Sequence, residues 1–294
     1  MSSWGKQPVW TRRRLLATGV SAVGSLALGT VVRAQGKSSS EQDGPYHPFK
    51  MGVQSYSLRG YTSNGRPDRD KALEVTKDLG LHFWESYTAH VPILGNPQAV
   101  GFLRREIEAK GVTVVGYGVV PITKDGAVMS RLFNFAKAMG LEYLSISPSP
   151  DCFDLLDRMV EETGVAVGIH NHGPGDRYAK IDTIAAAIKD HHHKIGCCID
   201  TGHFLRSRED PVHAVEAFGQ RVYGVHLKDV KDAKTFTVLG QGDLRTVDLL
   251  KALARNKYRY CLAIEYEEKP ENPFEDIKAC LAEARKAIAE VRKA

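Results

Sequence analysis

The sequence predicts an α/β fold, a single-domain (β/α)8 TIM barrel. Three observations carry that prediction. From Phe49 onward, short apolar runs rich in β-branched residues alternate with helix-patterned segments, and eight such units fill residues 49–294. Runs of this kind read as strands buried on both faces, as in a parallel sheet. Eight βα units at this length close a barrel far more often than they spread into an open sheet. An open, doubly wound sheet would want a Gly-rich phosphate loop after its first strand, and SYSLRGYTSNG is not one. The third observation is positional: the last four apolar runs all end in ionisable side chains, where barrels place their sites.

In chain order, residues 1–34 come first, and they read as a targeting peptide. TRRRLLATG sets three arginines before a mildly apolar stretch from Leu15 to Val32, and Val-Arg-Ala closes it at Ala34. A charged start, an apolar middle and small residues at a cleavage point form the signal-peptide layout. The adjacent arginines and the Gly/Ser/Thr-diluted core give it a twin-arginine character, hence an expected periplasmic location. Residues 35–48 are expected to be a polar linker. Residues 1–34 hold five basic groups and no acidic ones, so the remainder carries 35 of each sign. A neutral body offers no general electrostatic basis for binding nucleic acid. The mature chain is expected to have no stable membrane span, and a homo-oligomer stays open. The five cysteines form no framework: Cys197 and Cys198, adjacent inside an apolar run, are expected to be buried free thiols, and Cys152, Cys261 and Cys280 are scattered.

The barrel units then follow. MGVQSYSL leads into PDRDKALEVTKDLG, where Asp68 suits a helix start and Gly80 a stop. LHFWES precedes NPQAVGFLRREIEAKG, VTVVGYGVV precedes KDGAVMSRLFNFAKAMG, and LEYLSIS precedes SPDCFDLLDRMVEETG. VAVGIH, IGCCID, RVYGVHL and YCLAIEY are the later strands, each followed by a helical pattern.

In a barrel all C-terminal strand ends face one mouth. Those ends are Gln54 with Tyr56, Glu85, Tyr117, Ser147, His170 with His172, Asp200 with His203, His226 with Lys228 and Asp229, and Glu265. Taken singly, each has an ordinary reading. Asp200 could cap the following turn, Glu265 could meet a cation, His203 or His213 could bond a loop, and His191–His193 could be a solvated loop. His170, Asp200, His226 and Glu265 form a group because each closes its own strand and the strands are consecutive. Two imidazoles and two carboxylates suit one divalent ion of the Mn, Co, Zn, Fe or Ni kind better than Ca or Mg. Whether His170 or His172 would touch it stays open. Tyr56, Trp84, Tyr87 and Tyr117 lie near the mouth, with core packing as their ordinary role.

IDTGH, VHLKD and AIEYE, in that order, resemble the xylose isomerase-like TIM barrels over residues 49–290. That superfamily includes sugar epimerases, inosose dehydratases and apurinic endonucleases. The resemblance implies one divalent metal held by His170, Asp200, His226 and Glu265, with His203 and Lys228 or Asp229 beside the substrate. LGQGD, with Gly240, Gly242 and Asp243, resembles the superfamily's G-x-G-D loop. Ketose epimerases usually have Glu where His170 stands, and use two metal-bound glutamates to move a proton between faces of the sugar. The expected function is therefore a metal-dependent sugar isomerase or epimerase acting next to a carbonyl, with a lyase or hydratase of keto-sugars or 3-keto-glycosides as the alternative. Glu265 is the expected base; His172, His203, Lys228 and Glu85 are candidates for the partner group, and Gln54, Tyr56, Tyr117 and Asp229 for substrate contacts. Two other readings are an apurinic endonuclease-like nuclease, which a neutral body disfavours, and a non-catalytic exported sugar-binding barrel.

Overall fold

The computed structural model describes residues 44–293, and the expected signal peptide lies outside them. Eight parallel strands close into a barrel in sequential order. They are β1 (Lys50–Gln54), β2 (Phe83–Ser86), β3 (Thr113–Ile122), β4 (Tyr143–Pro148), β5 (Ala166–His170), β6 (Ile195–Asp200), β7 (Val222–Leu227) and β8 (Cys261–Ile264). β8 returns to β1 with Lys50 opposite Cys261 and Val53 opposite Ile264, which completes the ring. The outer layer is α1 (Arg69–Asp78), α2 (Pro97–Ala109), α3 (Gly126–Met139), α4 (Phe153–Thr163), α5 (Ile181–Ile188), α6 (Thr201–Arg206), α7 (Pro211–Phe218), α8 (Thr246–Arg255) and α9 (Phe274–Val291).

Local signals explain the boundaries. Asp68 caps α1, its carboxylate accepting from the Lys71 amide at 3.0 Å. Asn96 and Asp125 do the same for α2 and α3. Gly140 and Gly164 end α3 and α4 in the left-handed region, at φ 77° and 72°. The core lies between the sheet and the helices, where Val167, Ile199, Val225 and Ile264 meet Ile184, Val215 and Ile288, all of them fully buried. All five cysteines are free and buried, Cys197 and Cys198 as expected.

Two features depart from the expected layout. Residues 44–48, the end of the expected linker, form a turn fastened to the end of α9: Arg292 donates to Gly44 O and His47 O, each at 2.6 Å. The boundary drawn at residue 48 therefore moves to before Gly44. In addition, a β-hairpin pairing Asp229–Lys231 with Thr235–Thr237 interrupts the passage from β7 to α8. No helix among the described residues is long and apolar enough to cross a membrane.

Candidate metal centre and active site

Strand register assembles the site. Asp200 lies opposite His226, and His226 lies opposite Ala263, two residues before Glu265. His170, Asp200, His226 and Glu265, all buried, bring one donor atom each to within 4.8 Å of one another. His170 Nε2 and His226 Nδ1 are 3.1 Å apart, and Asp200 Oδ2 is 3.5 Å from the first and 3.8 Å from the second. Glu265 Oε2 is 3.1 Å from His226 Nδ1. Ligands about 2.1 Å from a tetrahedral ion stand about 3.4 Å apart, so these spacings fit one divalent cation. Asp200 Oδ2 and Glu265 Oε2 are buried and accept no well-formed hydrogen bond, although the Lys228 ammonium lies within 2.8 Å of each. Of the two histidines left open, His170 joins the cluster and His172 lines the cavity above it.

Asp200 fills two roles at once. Its Oδ1 accepts from the His203 amide at 2.8 Å and caps α6, while Oδ2 enters the cluster. Thr201 ties the neighbouring strand in place. Its hydroxyl takes the Lys228 amide hydrogen bond at 2.9 Å and lies 2.6 Å from Lys228 O. Gly202 is required by close approach, since a Cβ there would stand 2.8 Å from Lys228 Cγ and Cδ. The D-T-G-H and H-L-K-D segments are thus one interlocked piece. Asn171 exchanges two 2.8 Å hydrogen bonds with the Asp200 backbone and fixes the end of β6.

Lys228 is buried, with its ammonium 2.8 Å from Asp200 Oδ2, 2.7 Å from Glu265 Oε2 and against Glu267 Oε1. Burial alone would lower the lysine pKa, but Asp200 and Glu265 outweigh it and hold the group charged. Burial likewise opposes ionisation of Glu265, yet Lys228 and His226 bring its pKa down to about 2. Burial drops His203 to about 3 and His172 to about 4, so both imidazoles are neutral near pH 7.

Glu85, expected as an acid–base candidate, has a different place. It is fully buried and its Oε1 lies 2.9 Å from His226 Nε2. It also accepts from Tyr143 Oη at 2.6 Å, from Gln54 Nε2 at 3.0 Å and from Ser145. It lines no cavity with the cluster. A carboxylate behind a histidine fixes its tautomer, here leaving Nδ1 to face the cluster.

The cavity beside the cluster measures about 250 Å3 and is walled by Gln54, Tyr56, Tyr87, His172, His203 and Glu267, with Lys228 and Glu265 at its base. Tyr56 and Tyr87 meet edge-on at 5.0 Å. Two expected substrate contacts are corrected. Tyr117 is a core residue whose hydroxyl donates to Val91 O at 2.8 Å. Asp229 is buried away from the cavity and accepts from the Gly240, Gly242 and Leu244 amides at 2.9–3.0 Å, so it organises the LGQGD loop. Trp84 is likewise core, donating to Thr76 Oγ1 at 2.7 Å. His191 and His192 pair on the surface with Asp157 and Glu161, and His213 is exposed on α7. Glu267 was not anticipated, although it follows Glu265 by the two-residue period of a strand.

A family model described as xylose isomerase-like TIM barrel matches residues 73–287. Among curated relatives, an inosose dehydratase of Clostridium botulinum (strain Alaska E43 / Type E3) is 29% identical over 142 residues, 41% of this chain and 47% of that protein. The chain spans about half the length of the curated relatives it matches. An L-ribulose 3-epimerase structure is similar with a TM-score of 0.66 at 15% identity, covering 83% of this chain and 96% of that one. An IolI protein with a binding zinc atom is similar with a TM-score of 0.67 at 12% identity, covering 82% and 99%.

Proposed function

Because the chain belongs to the xylose isomerase-like TIM barrel family, we propose that it is a divalent-metal-dependent enzyme that takes a proton from the carbon beside the carbonyl of a keto-sugar or keto-glycoside. The observation that carries this reading is the convergence of His170, Asp200, His226 and Glu265 at the base of a small polar cavity. A bound divalent ion would polarise a substrate carbonyl and acidify the neighbouring C–H. Glu265 is the one cluster carboxylate that also lines the cavity, and its low pKa keeps it in the base form. Lys228 keeps a fixed positive charge where an oxygen would become negative.

The step after proton removal is decided by the second group. Returning the proton to the opposite face, as in epimerisation, calls for a base across the substrate, and His170 stands where a second carboxylate would serve. Expelling a neighbouring hydroxyl asks only for a hydrogen-bond donor to the departing oxygen and a proton, and the neutral His172 and His203 share the cavity with Glu265, which can pass on the proton it has taken. We therefore favour dehydration by elimination, in line with the dehydratase name of the curated relatives. Isomerisation is the second reading, supported by the epimerase fold neighbour. Incubation of the metal-loaded protein with keto-inositols, keto-hexoses and 3-keto-glycosides in heavy water separates the two. A dehydrated product supports elimination; deuterium in a substrate or its epimer with no loss of water supports isomerisation; neither outcome with any of them defeats both. Export by the twin-arginine route belongs to the same proposal and would place the substrate in the periplasm.

The Glu85–His226 contact gives a separate expectation. Glu85→Gln should weaken metal binding by about 10–100-fold, the range for losing such a partner. Titration of the metal-stripped protein with Zn or Mn would measure it, and an unchanged affinity would show that Glu85 does not orient His226.

A further inference from the structure

α6 ends on a cation that bears on the cavity through a neighbour. Arg206 follows His203 by three residues, so the two side chains share a face of the helix. Its Nη1 lies 3.3 Å from His203 Nδ1. A guanidinium has N–H donors and no acceptor, and it does not give up its charge, so at this contact the ring nitrogen accepts. A nitrogen that accepts carries no proton. The imidazole is then neutral, and its one proton sits on Nε2.

The other side of the ring agrees. Nε2 stands 4.0 Å from Asp200 Oδ2 and 4.0 Å from Glu267 Oε1, and ionised carboxylates only accept. His203 and Glu267 both wall the cavity, so the Nε2–H lies on the cavity side. The guanidinium is also held in place. It lies over the Phe236 ring, 5.1 Å from the centre, and the same ring meets His203 edge-on at 5.6 Å. Phe236 belongs to the hairpin after β7, which thereby packs against both side chains. Gly173 leaves room for the guanidinium, since a Cβ there would stand 3.0 Å from Nη1. Among the described residues no carboxylate lies within 4.0 Å of Arg206.

We propose that Arg206 is a positioning residue: by occupying Nδ1 it presents the Nε2–H of His203 to the cavity, as the hydrogen-bond donor to the departing oxygen. The inference rests on the elimination reading above. The C–O bond breaks with its electron pair going to the oxygen, and the proton that completes water comes from Glu265. Nitrogen NMR of the zinc-loaded full chain carrying isotope-labelled histidine tests it, with His203→Asn identifying the His203 signals. In the parent, Nε2 should be protonated and Nδ1 bare. In Arg206→Met that preference should be lost, with Nδ1 moving toward the protonated position. Dehydration by this variant should fall at least about tenfold, while deuterium exchange beside the carbonyl and zinc content persist. A merely structural role would lower exchange and dehydration together and leave the tautomer alone. The proposal fails if the parent carries the proton on Nδ1, if Arg206→Met keeps the parent tautomer, or if exchange falls as far as dehydration. The parent spectrum decides the first of these even if the variant does not fold. A parent that dehydrates none of the keto-substrates defeats the elimination reading, and the spectra then decide separately whether Arg206 places the proton.

Discussion

Replacing Glu265 with Gln is expected to lower turnover by about 10²–10⁴-fold, the span attributed to a positioned general base. The substitution keeps the side chain's shape and one oxygen, and removes the charge and the proton acceptor. The diagnostic reading is exchange rather than product. If Glu265 takes the proton, deuterium uptake from heavy water into the carbon beside the carbonyl should vanish with it. His172→Gln and His203→Asn should behave differently if either imidazole serves the departing hydroxyl: exchange persists while dehydration stops. Metal content must be measured alongside, because Glu265 is also a proposed ligand. A Gln variant that retains its metal and loses exchange identifies the base. One that turns over within about tenfold of the parent shows that the proton goes elsewhere.

The sequence carried much of this site, for a physical reason. Strands buried on both faces are written as unbroken apolar runs, so their ends can be found by inspection: IGCCID coincides with β6, Ile195–Asp200. Once the barrel closes, four such ends must converge, and His170, Asp200, His226 and Glu265 do. Depth inside the barrel was not legible. Glu85 and His226 both close strands, yet Glu85 lies behind the histidine, and the β2–β3 register is irregular at Trp84/Glu85. Tyr117 and Asp229 were misplaced for a related reason. Whether a strand-end side chain meets the cavity or a loop depends on segments that carry no periodic signal, here Val91 and residues 240–244. The hairpin after β7 escaped notice because its strands are three residues each, too short to show alternation. Glu267 could have been found by extending the two-residue period past Glu265.

Lys228→Met is expected to have the largest effect on stability. In the metal-free protein it should cost roughly 3–5 kcal/mol at pH 7, the range for removing one partner from a buried ion pair. The methionine fills the lysine's volume, so the loss reports charge and not packing. Its pH dependence follows from the carboxylates left behind. With Lys228 present, Glu265 titrates at about 2 in the folded chain against an ordinary 4.5, so its contribution is present above pH 4.5 and lost as pH falls toward 2. With Lys228 removed, burial is opposed chiefly by His226, so the folded pKa rises and the contribution shrinks. Asp200, also held low by Lys228 against its burial, adds in the same direction. The gap between parent and variant should therefore be wide at pH 7 and narrow as pH falls toward 2. Urea unfolding of both proteins in a chelator at pH 7 and about pH 2.5 would measure it. Equal gaps at the two pH values, or a gap under about 1 kcal/mol at pH 7, would mean that the ammonium is not what keeps these buried carboxylates charged. The same charge argument extends to the metal-loaded state. A divalent ion placed among uncompensated carboxylates regains much of what the lysine supplied, so added Zn or Mn should stabilise Lys228→Met more than it stabilises the parent.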